Sequence, residues 1–326
     1  MTTMTEQRFA LGVWPTQLHR VRRLERELGT GPILVKRDDL TGFVAAGNKT
    51  RPLEYLLGAA LAESSDVLVT GGRATSNFCA AAAAAAAAGG IDCHLIIGTD
   101  KHVRVDRATN MRMARVLGAE LHTVRAAGDE IDEQIFSHAA QLMKHGRRPY
   151  AVPRGGSTAV GAMGYAAAAE ELNVQLAQLG EEPSAVVCAV GSGGTYAGLL
   201  AGAAALRWTW PVLGVSVSRP LPEISGKVLR LTQQVCDLRG TKAVPRSAIE
   251  MLDAVGAGHG RLSRAQQDLA ELALRTEGLL LDSTYTAKSF ELAVDRARSS
   301  TRPVVFWHTG GTLGATARLL GKERND

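Results

Sequence analysis

The chain has few cysteines and few aromatic residues, and its histidines show no metal-binding spacing. The four cysteines are far apart and form no C-x-x-C pair, and three of them lie in apolar runs, which is typical of buried free thiols. The eight histidines include no H-E-x-x-H motif or comparable spacing. We therefore predict no metal site.

Long apolar runs and basic blocks are also absent. No stretch of 18 apolar residues lacks glycine or charge, and residues 1–10 lack the apolar core of a signal peptide, so we expect no membrane association and a cytoplasmic location. The net charge of +5 is mild, and the arginines are scattered among few aromatics. This pattern argues against nucleic-acid binding and allows only a modest attraction for anionic small molecules.

What the chain does contain is an alternation of short β-branched runs with longer helical patterns. Such alternation predicts an α/β fold, with mostly parallel sheets and helices on both faces. The predicted strands are Ile33–Lys36, Val67–Thr70, His94–Ile97, Leu121–Val124, Ala151–Pro153, Ala185–Ala189, Val212–Val217, Leu279–Leu281 and Val304–Trp307. Two of the predicted helices are Asp106–Leu117 and Arg264–Thr276, each followed by a glycine.

The 326 residues suit one large domain or two smaller ones. We predict a small α/β lobe at residues 52–150 and a large cofactor-binding lobe made of residues 1–51 and 151–326. Ligands of such sheets bind at the carboxyl ends of the strands, often where two lobes meet.

Lys49 lies between a β-type run and an amphipathic helix pattern, and follows Gly47-Asn48. An amine held at a loop-to-helix junction can form a Schiff base with a carbonyl compound when its surroundings lower its pKa. A solvated surface lysine is the alternative for Lys49 taken alone.

Nine consecutive alanines, Ala80–Ala88, follow the polar segment that ends in Thr75-Ser76-Asn77. Alanine is the best helix former, and a helix without bulky side chains can be buried against a sheet. The start of this helix would present backbone N–H groups that suit a carboxylate.

The loop Gly191-Ser192-Gly193-Gly194-Thr195 follows a buried strand and opens a helix. Glycines allow several N–H groups to converge on one anion, and the helix dipole adds to the attraction, so the loop resembles a phosphate cup. A dinucleotide fingerprint would need glycine where Tyr196 stands, and a nucleotide-triphosphate loop would need Gly-Lys-Ser/Thr. A purely structural turn remains an alternative. A lysine that forms a Schiff base together with a phosphate cup is what pyridoxal phosphate requires.

In this order, these segments resemble the tryptophan-synthase-like pyridoxal-phosphate enzymes. More narrowly, the chain resembles the D-cysteine desulfhydrase / 1-aminocyclopropane-1-carboxylate deaminase family. The matching stretches cover almost the whole chain: 14–16, 36–40, 47–51, 76–77, 117–120, 152–157, 161–165, 191–195, 285–288 and 308–311. The resemblance implies a fold type II enzyme like the tryptophan synthase β subunit, with two three-layer α/β/α lobes.

The resemblance also implies a role for each matching residue. Lys49 would bind the cofactor covalently, and Tyr285 would pack against the pyridine ring and move protons. The residues expected to bind the phosphate are Gly191, Ser192, Gly193, Gly194 and Thr195. Asn77 would lie beside the cofactor, and Thr309 would offer a hydroxyl to the ring nitrogen. The segment expected to receive the substrate consists of Thr75, Ser76, Asn77 and Phe78.

Four positions depart from the family pattern. Thr286 stands where the cyclopropane deaminases carry a glutamate, and a hydroxyl keeps the ring nitrogen protonated less well than a carboxylate does. Phe78 replaces a histidine or glutamine, and Pro52 replaces a lysine for which Arg51 would compensate. His259, in Gly-His-Gly, stands where a second tyrosine is usual, and imidazole titrates near neutrality, so His259 is a candidate acid/base; a surface-loop histidine is the alternative.

The hydroxyl of Thr286 in place of a glutamate favours an elimination over the opening of a cyclopropane, and the four departures together leave the cofactor unchanged but the substrate open. We expect a lyase or deaminase that converts a small amino acid into a 2-oxo acid and ammonia, as D-cysteine desulfhydrase does. The alternatives are β-replacement or racemisation of a specialised amino acid, or a non-catalytic sensor of amino acids that kept the cofactor and the fold. A homodimer is expected from the resemblance alone.

Overall fold

The computed structural model of the chain describes residues 7–99, 105, 108–256, 258 and 260–320. Over these residues the strands are β1 Leu18–Arg20, β2 Ile33–Arg37, β3 Val67–Arg73, β4 Asp92–Gly98, β5 Glu120–Val124, β6 Pro149–Ala151, β7 Ala185–Val190, β8 Val212–Ser216, β9 Glu250–Asp253 and β10 Val304–His308. The α-helices are α1 Arg22–Leu28, α2 Thr50–Ala62, α3 Asn77–Gly89, α4 Thr109–Val116, α5 Glu130–Lys144, α6 Ala159–Leu179, α7 Gly194–Ala205, α8 Leu221–Arg239, α9 Arg264–Glu277, α10 Thr286–Arg298 and α11 Thr312–Leu319. Short 3₁₀ turns cover Asp38–Leu40, Gly47–Lys49, Arg154–Gly156 and Arg246–Ala248.

The chain divides into two compact units. Of the described residues, the small unit contains 7–12 and 49–164, and the large unit contains 13–48 and 165–320. The sequence-based boundaries lie at 52 and 150, whereas the units change at 49 and 164.

The large unit is built on a six-stranded sheet with the order β1-β2-β10-β7-β8-β9. Only the pairing of β1 with β2 is antiparallel. The central strands are buried at every position and are mostly apolar, as expected for parallel strands covered on both faces. Because β2, β10 and β7 are neighbours, the loops that follow them leave the same edge of this sheet.

The small unit is built on a four-stranded parallel sheet with the order β5-β4-β3-β6. One of its apolar clusters joins β3 and β4 to α5 through Val67, Val69, Ile96, Ile131 and Ile135. The predicted α/β class with mostly parallel sheets is therefore confirmed in both units.

The alanine run forms most of α3, as the sequence predicts. Ala80–Ala86 are at most 4% exposed, so the helix is buried on all sides over this stretch. Ser76 is the N-cap, and its hydroxyl accepts a hydrogen bond of 3.3 Å from the Cys79 N–H. Side chains of one carbon allow the close packing that a bulkier sequence would prevent.

Some predicted elements are wrong in detail. Leu279–Leu281 is not a strand but an irregular segment, and Leu279 and Leu281 pack in the core of the large unit. A short buried apolar run looks the same in both conformations, so periodicity does not separate them. The sequence-based prediction also did not include β1 and β9, and it placed β6 two residues too far along the chain. Asp106, the predicted start of α4, lies outside the described residues.

No helix among the described residues is both long enough and apolar enough to span a membrane.

Candidate functional site

Lys49 ends a 3₁₀ turn and stands immediately before α2 in the small unit. Pro52 lies in the first turn of α2. Backbone N–H groups in the first turn have no partner within the helix, so proline, which lacks an N–H, is tolerated there. The lysine is half-buried as a residue, and burial of its amine lowers the pKa to about 8. An amine with this pKa is substantially neutral near pH 8, and a neutral amine is both a nucleophile and a base.

Asn48, the residue before Lys49, joins two loops of the large unit. Its backbone N–H donates to the Thr309 carbonyl at 2.8 Å, and its side-chain amide donates to the Thr195 hydroxyl at 3.1 Å. The backbones of Gly47 and Gly310 are in contact. A Cβ atom added to Gly310 would lie 2.9 Å from the Gly47 Cα, and Gly310 has a φ of +112°, so both the space and the backbone conformation favour glycine there. The loops that follow β2, β7 and β10 therefore meet at the carboxyl edge of the large sheet, where parallel sheets bind ligands.

The predicted phosphate loop connects β7 to α7. Gly193 is the N-cap of α7 and has a φ of +99°, a left-handed conformation that favours glycine. The first N–H groups of a helix have no partner within the helix, so the start of α7 offers donors and a positive dipole end. This geometry suits a phosphate group.

Tyr285 packs directly against this loop. A Cβ on Gly191 would lie 3.0 Å from Cε1 of the Tyr285 ring, so the absence of a side chain at Gly191 makes room for the ring. Tyr285 is half-buried and stands at the N-cap of α10. The structure thus brings together two residues that the sequence selected separately, 94 positions apart.

The turn that carries Tyr285 is organised by the buried carboxylate of Asp282. This carboxylate accepts backbone N–H bonds from Thr284, Tyr285 and Thr286 at 2.9–3.0 Å. Gly311 passes so close that a Cβ there would lie 2.5 Å from the Asp282 Oδ1. Asp282 therefore fixes the backbone of the tyrosine turn next to the loop after β10.

Thr286 stands where the resembling cyclopropane deaminases have a glutamate. Its side chain is completely buried, and its hydroxyl donates to the Asp282 carboxylate at 2.7 Å while accepting from the Asp282 N–H at 2.6 Å. Both bonds are local and hold the start of α10. The hydroxyl of Thr286 thus has a structural role.

The start of α3 in the small unit carries the predicted substrate segment. Asn110, at the start of α4, donates its side-chain amide to the Thr75 carbonyl at 2.8 Å and to the Asn77 Oδ1 at 3.0 Å. This holds the Asn77 amide with its oxygen toward Asn110. The N–H groups of the first turn of α3 and its positive dipole end suit a carboxylate.

Phe78 is part of this segment, but its side chain is buried. The residue is 2% exposed, and a Cβ on Gly156, whose φ is +68°, would lie 2.6 Å from the Phe78 ring. The ring thus packs inside the small unit against the turn Arg154–Gly156. Any contact of Phe78 with a substrate would involve its backbone N–H.

His259, the predicted alternative acid/base, lies outside the described residues. The segment before it is held by Lys288 of α10, which is 3% exposed. The Lys288 ammonium donates to the carbonyls of Ala254, Val255 and Gly258 at 2.9, 3.2 and 3.1 Å. Burial lowers the pKa of this lysine. Lys288 thus fixes the backbone that leads to position 259.

A second buried carboxylate stabilises the carboxyl end of β2. Asp38 is completely buried and accepts hydrogen bonds from the Thr16 hydroxyl, the Tyr165 hydroxyl and the Trp307 indole N–H at 2.9, 2.7 and 2.8 Å. These donors come from distant parts of the large unit. Asp38 therefore ties the strand that precedes the Lys49 loop to the neighbouring strand β10 and to α6.

The roles of Asn48, Asn110 and Asp282 are not apparent from the sequence. Asn48 was part of a matching motif, but its partners are 147 and 261 positions away. Asp282 lies four residues before α10, whose N-cap is Tyr285, so the usual capping spacing does not mark it. Nothing in the sequence marks Asn110, because it reaches Asn77 only through the packing of α4 on α3.

Fold type II pyridoxal-phosphate enzymes are characterised by two mostly parallel α/β sheets, a desolvated lysine at a loop-to-helix junction and a glycine loop at a strand-to-helix junction. The comparisons with known proteins agree. The family model described as pyridoxal-phosphate dependent enzyme matches residues 9–310. The chain belongs to this family of enzymes, and the predicted cofactor is confirmed at the level of the family.

Proteins similar to this chain carry two different enzyme names. The chain is 36% identical over 314 residues to a putative 1-aminocyclopropane-1-carboxylate deaminase of Thermotoga maritima, covering 95% of this chain and 98% of the relative. It is 35% identical over 307 residues to the D-cysteine desulfhydrase of Salmonella paratyphi C, covering 91% and 92%. A crystal structure of an ACC deaminase homologue superposes with a TM-score of 0.87 at 31% identity, covering 97% of this chain and 96% of that one. The resemblance to this group is thereby confirmed.

Proposed function

We propose that the chain is a pyridoxal-phosphate-dependent lyase that performs α,β-elimination on a small amino acid with a leaving group on its β-carbon. D-cysteine is the first substrate to test. The reaction would consume one D-cysteine and one water and release pyruvate, ammonia and hydrogen sulfide.

The observation that favours elimination over the opening of a cyclopropane is the presence of Thr286 where the cyclopropane deaminases have a glutamate. The similar proteins bear two names, putative 1-aminocyclopropane-1-carboxylate deaminase and D-cysteine desulfhydrase. Opening a cyclopropane demands a strong electron sink, which a carboxylate at position 286 would support. Here that position holds a hydroxyl bound to Asp282 on both its donor and acceptor sides. The less demanding elimination fits this chain better.

The described residues fit the cofactor. Lys49 would hold it covalently through a buried amine whose pKa of about 8 favours the neutral, reactive form. Gly191, Ser192, Gly193, Gly194 and Thr195 would bind its phosphate with backbone N–H groups and the dipole of α7. When bound, the cofactor supplies an electron sink that stabilises negative charge on the substrate Cα.

The remaining steps belong to side chains of the protein. The start of α3, at Thr75, Ser76, Asn77 and Phe78, would bind the substrate carboxylate. Lys49 would remove the proton from Cα, as a neutral amine with a pKa near 8 can do. Tyr285, held beside Gly191, would pack on the cofactor ring and deliver a proton to the departing thiolate. His259 is a second candidate for that proton transfer, and Thr309 is the candidate hydroxyl partner of the ring nitrogen.

The test is a product assay on purified holoenzyme with D-cysteine, L-cysteine, D-serine and 1-aminocyclopropane-1-carboxylate. We expect pyruvate, ammonia and sulfide in equal amounts from D-cysteine, and no 2-oxobutyrate from the cyclopropane substrate. Faster turnover of the cyclopropane compound would overturn the choice of reaction. Spectral changes without any product would instead support a sensor, and trapping of a thiol adduct would support β-replacement.

The covalent link has its own test. Borohydride reduction of the holoenzyme followed by peptide mass spectrometry should place the cofactor on Lys49. Label on another lysine would refute the assignment. We also propose, from the family resemblance, a homodimer in the cytoplasm; light scattering of the purified protein and cell fractionation would test these points.

A further inference from the structure

Three histidines of the small unit lie side by side although they are far apart in the sequence. His94 is on β4, His122 is on the edge strand β5, and His138 is on α5. His94 pairs in register with Glu120, and His122 follows Glu120 by two residues, so these three side chains share one face of the sheet. Helix α5 covers this face through Ile131 and Ile135, and His138 follows Ile135 by three positions.

One ring nitrogen of each histidine lies close to a ring nitrogen of another. The His94 Nδ1 lies 2.9 Å from the His138 Nε2 and 3.3 Å from the His122 Nε2. One ligand atom from each of the three residues lies within 4.8 Å of the other two. The rings of His122 and His138 are also close, with centroids 4.2 Å apart.

Two of these separations, 2.9 and 3.3 Å, are close to the distance between two ligands of one metal ion. Zinc binds histidine nitrogen at about 2.0–2.1 Å in tetrahedral sites, which places the ligand nitrogens roughly 3.3 Å from one another. The fourth group is Glu120, whose Oε1 is 3.2 Å from the His122 Nε2 and whose Oε2 is 3.4 Å from the His94 Nε2. A carboxylate in this place can complete the coordination or orient an imidazole that does.

The charges around the cluster favour a cation. His94 is buried, His122 and His138 are partly buried, and the three rings lie side by side. Arg147 opposes a positive charge near His94, but it pairs with Asp66 and Asp92. The carboxylate of Glu120 is the negative group nearest the three rings among the ion pairs described here.

We propose that His94, His122 and His138 bind one Zn²⁺ ion, with Glu120 as the fourth ligand or as the base that orients His94. The ion would join the edge strand β5 to β4 and α5, and it would act in the stability of the small unit, separately from the cofactor chemistry. The sequence predicted no metal site because the three histidines lie on three elements, 28 and 44 positions from His94. The proposal does not depend on the proposed function.

The test uses tag-free holoenzyme that has been dialysed against a chelator and then titrated with ZnCl₂ in a calorimeter. We expect one Zn²⁺ per chain and a rise in the melting temperature on binding. Co²⁺ in place of Zn²⁺ should give the visible absorption of a tetrahedral site. His122→Ala and His138→Ala should lose the site, and Glu120→Gln should weaken the affinity by roughly 10–100-fold.

The control is His145→Ala, which removes an exposed histidine at the end of the same helix, where its ring contacts only the Gln141 carbonyl among the described hydrogen bonds. This variant should bind Zn²⁺ as the wild type does. Circular dichroism checks that each variant is folded. Absence of stoichiometric binding by the wild type would overturn the proposal, as would equal binding by folded His122→Ala and His138→Ala proteins. The three histidines would then form a hydrogen-bonded cluster only.

Discussion

The side-chain amide of Asn48 donates a hydrogen bond of 3.1 Å to the hydroxyl of Thr195. One of these residues directly precedes Lys49, and the other is the last residue of the glycine loop. The bond therefore fixes the backbone next to the proposed covalent lysine against the proposed phosphate-binding loop. Through this bond the residue before Lys49 contacts the glycine loop within the large unit.

Loss of this bond should weaken cofactor binding. A hydrogen bond of this kind contributes about 0.5–1.5 kcal/mol, so Asn48→Ala should raise the dissociation constant of pyridoxal phosphate roughly twofold to tenfold. Absorbance titration of apoprotein measures this constant. Thr195→Ser keeps the hydroxyl and should bind as the wild type does. Thr195→Val should match Asn48→Ala, and additive losses in the double variant would show that the residues act independently.

Replacing Lys49 should make the apoprotein more stable at neutral pH. The folded state lowers the pKa of Lys49 from 10.5 to about 8, so below pH 8 folding carries the cost of a desolvated charge. Between pH 8 and 10.5 the unfolded chain binds more protons, and wild-type stability rises with pH. Lys49→Met should therefore be more stable by about 1–2 kcal/mol below pH 8, after allowance for partial exposure, and this advantage should shrink toward pH 10.5.

Urea denaturation of the apoproteins at several pH values measures this difference. Lys288→Met is the matched control, because its ammonium donates to three carbonyls. Removing those donors should destabilise the protein by about 1–3 kcal/mol. If Lys49→Met were the less stable protein at pH 7, the lysine would have favourable contacts that outweigh its desolvation.

A methyl group at Gly191 should displace Tyr285. The added Cβ would lie 3.0 Å from the ring, closer than ordinary van der Waals contact. We expect Gly191→Ala to lower kcat by roughly 10–100-fold through misplacement of the tyrosine. Because both changes would act on Tyr285, adding Gly191→Ala to Tyr285→Phe should lower kcat little further. Gly226→Ala, in α8 with its nearest neighbour at 3.6 Å, should leave kcat unchanged.

Features of the site that depend on local sequence were predictable. The buried helix after Ser76 follows from nine alanines and a serine cap, and the turn at Gly193 follows from a glycine cluster between an apolar strand and a helix pattern. In both cases the side chains or the lack of them determine the backbone within a few residues. These predictions were correct because the conformation of both segments depends on neighbouring residues and not on distant contacts.

Features that depend on distant partners were not predictable. The bonds from Asn110 to Asn77 and from Asn48 to Thr195 require helices and loops to be packed first. The prediction of a strand at Leu279–Leu281 was wrong for the same reason. This apolar run is buried by the elements packed around it and not by pairing with a neighbouring strand. Periodicity describes one element at a time and carries no information about such contacts.

The carboxylate of Asp282 should contribute more to stability than any exposed acid of the same region. It accepts three backbone N–H groups and the Thr286 hydroxyl, and it is 6% exposed. Asp282→Ala would leave these donors buried without an acceptor, at a cost of about 1–3 kcal/mol each before relaxation. We expect a total loss of about 3–5 kcal/mol, measured by urea denaturation of the holoenzyme.

Asp295→Ala is the control for this variant, because Asp295 lies on α10 and pairs only at the surface with Arg298 among the described ion pairs. Its loss should change stability by less than about 1 kcal/mol. The two variants also separate stability from catalysis. Since Asp282 holds the turn of Tyr285, Asp282→Ala should lower kcat even under conditions where the protein is fully folded, whereas Asp295→Ala should not. Equal kcat values for the two folded variants would show that the tyrosine keeps its place without the carboxylate.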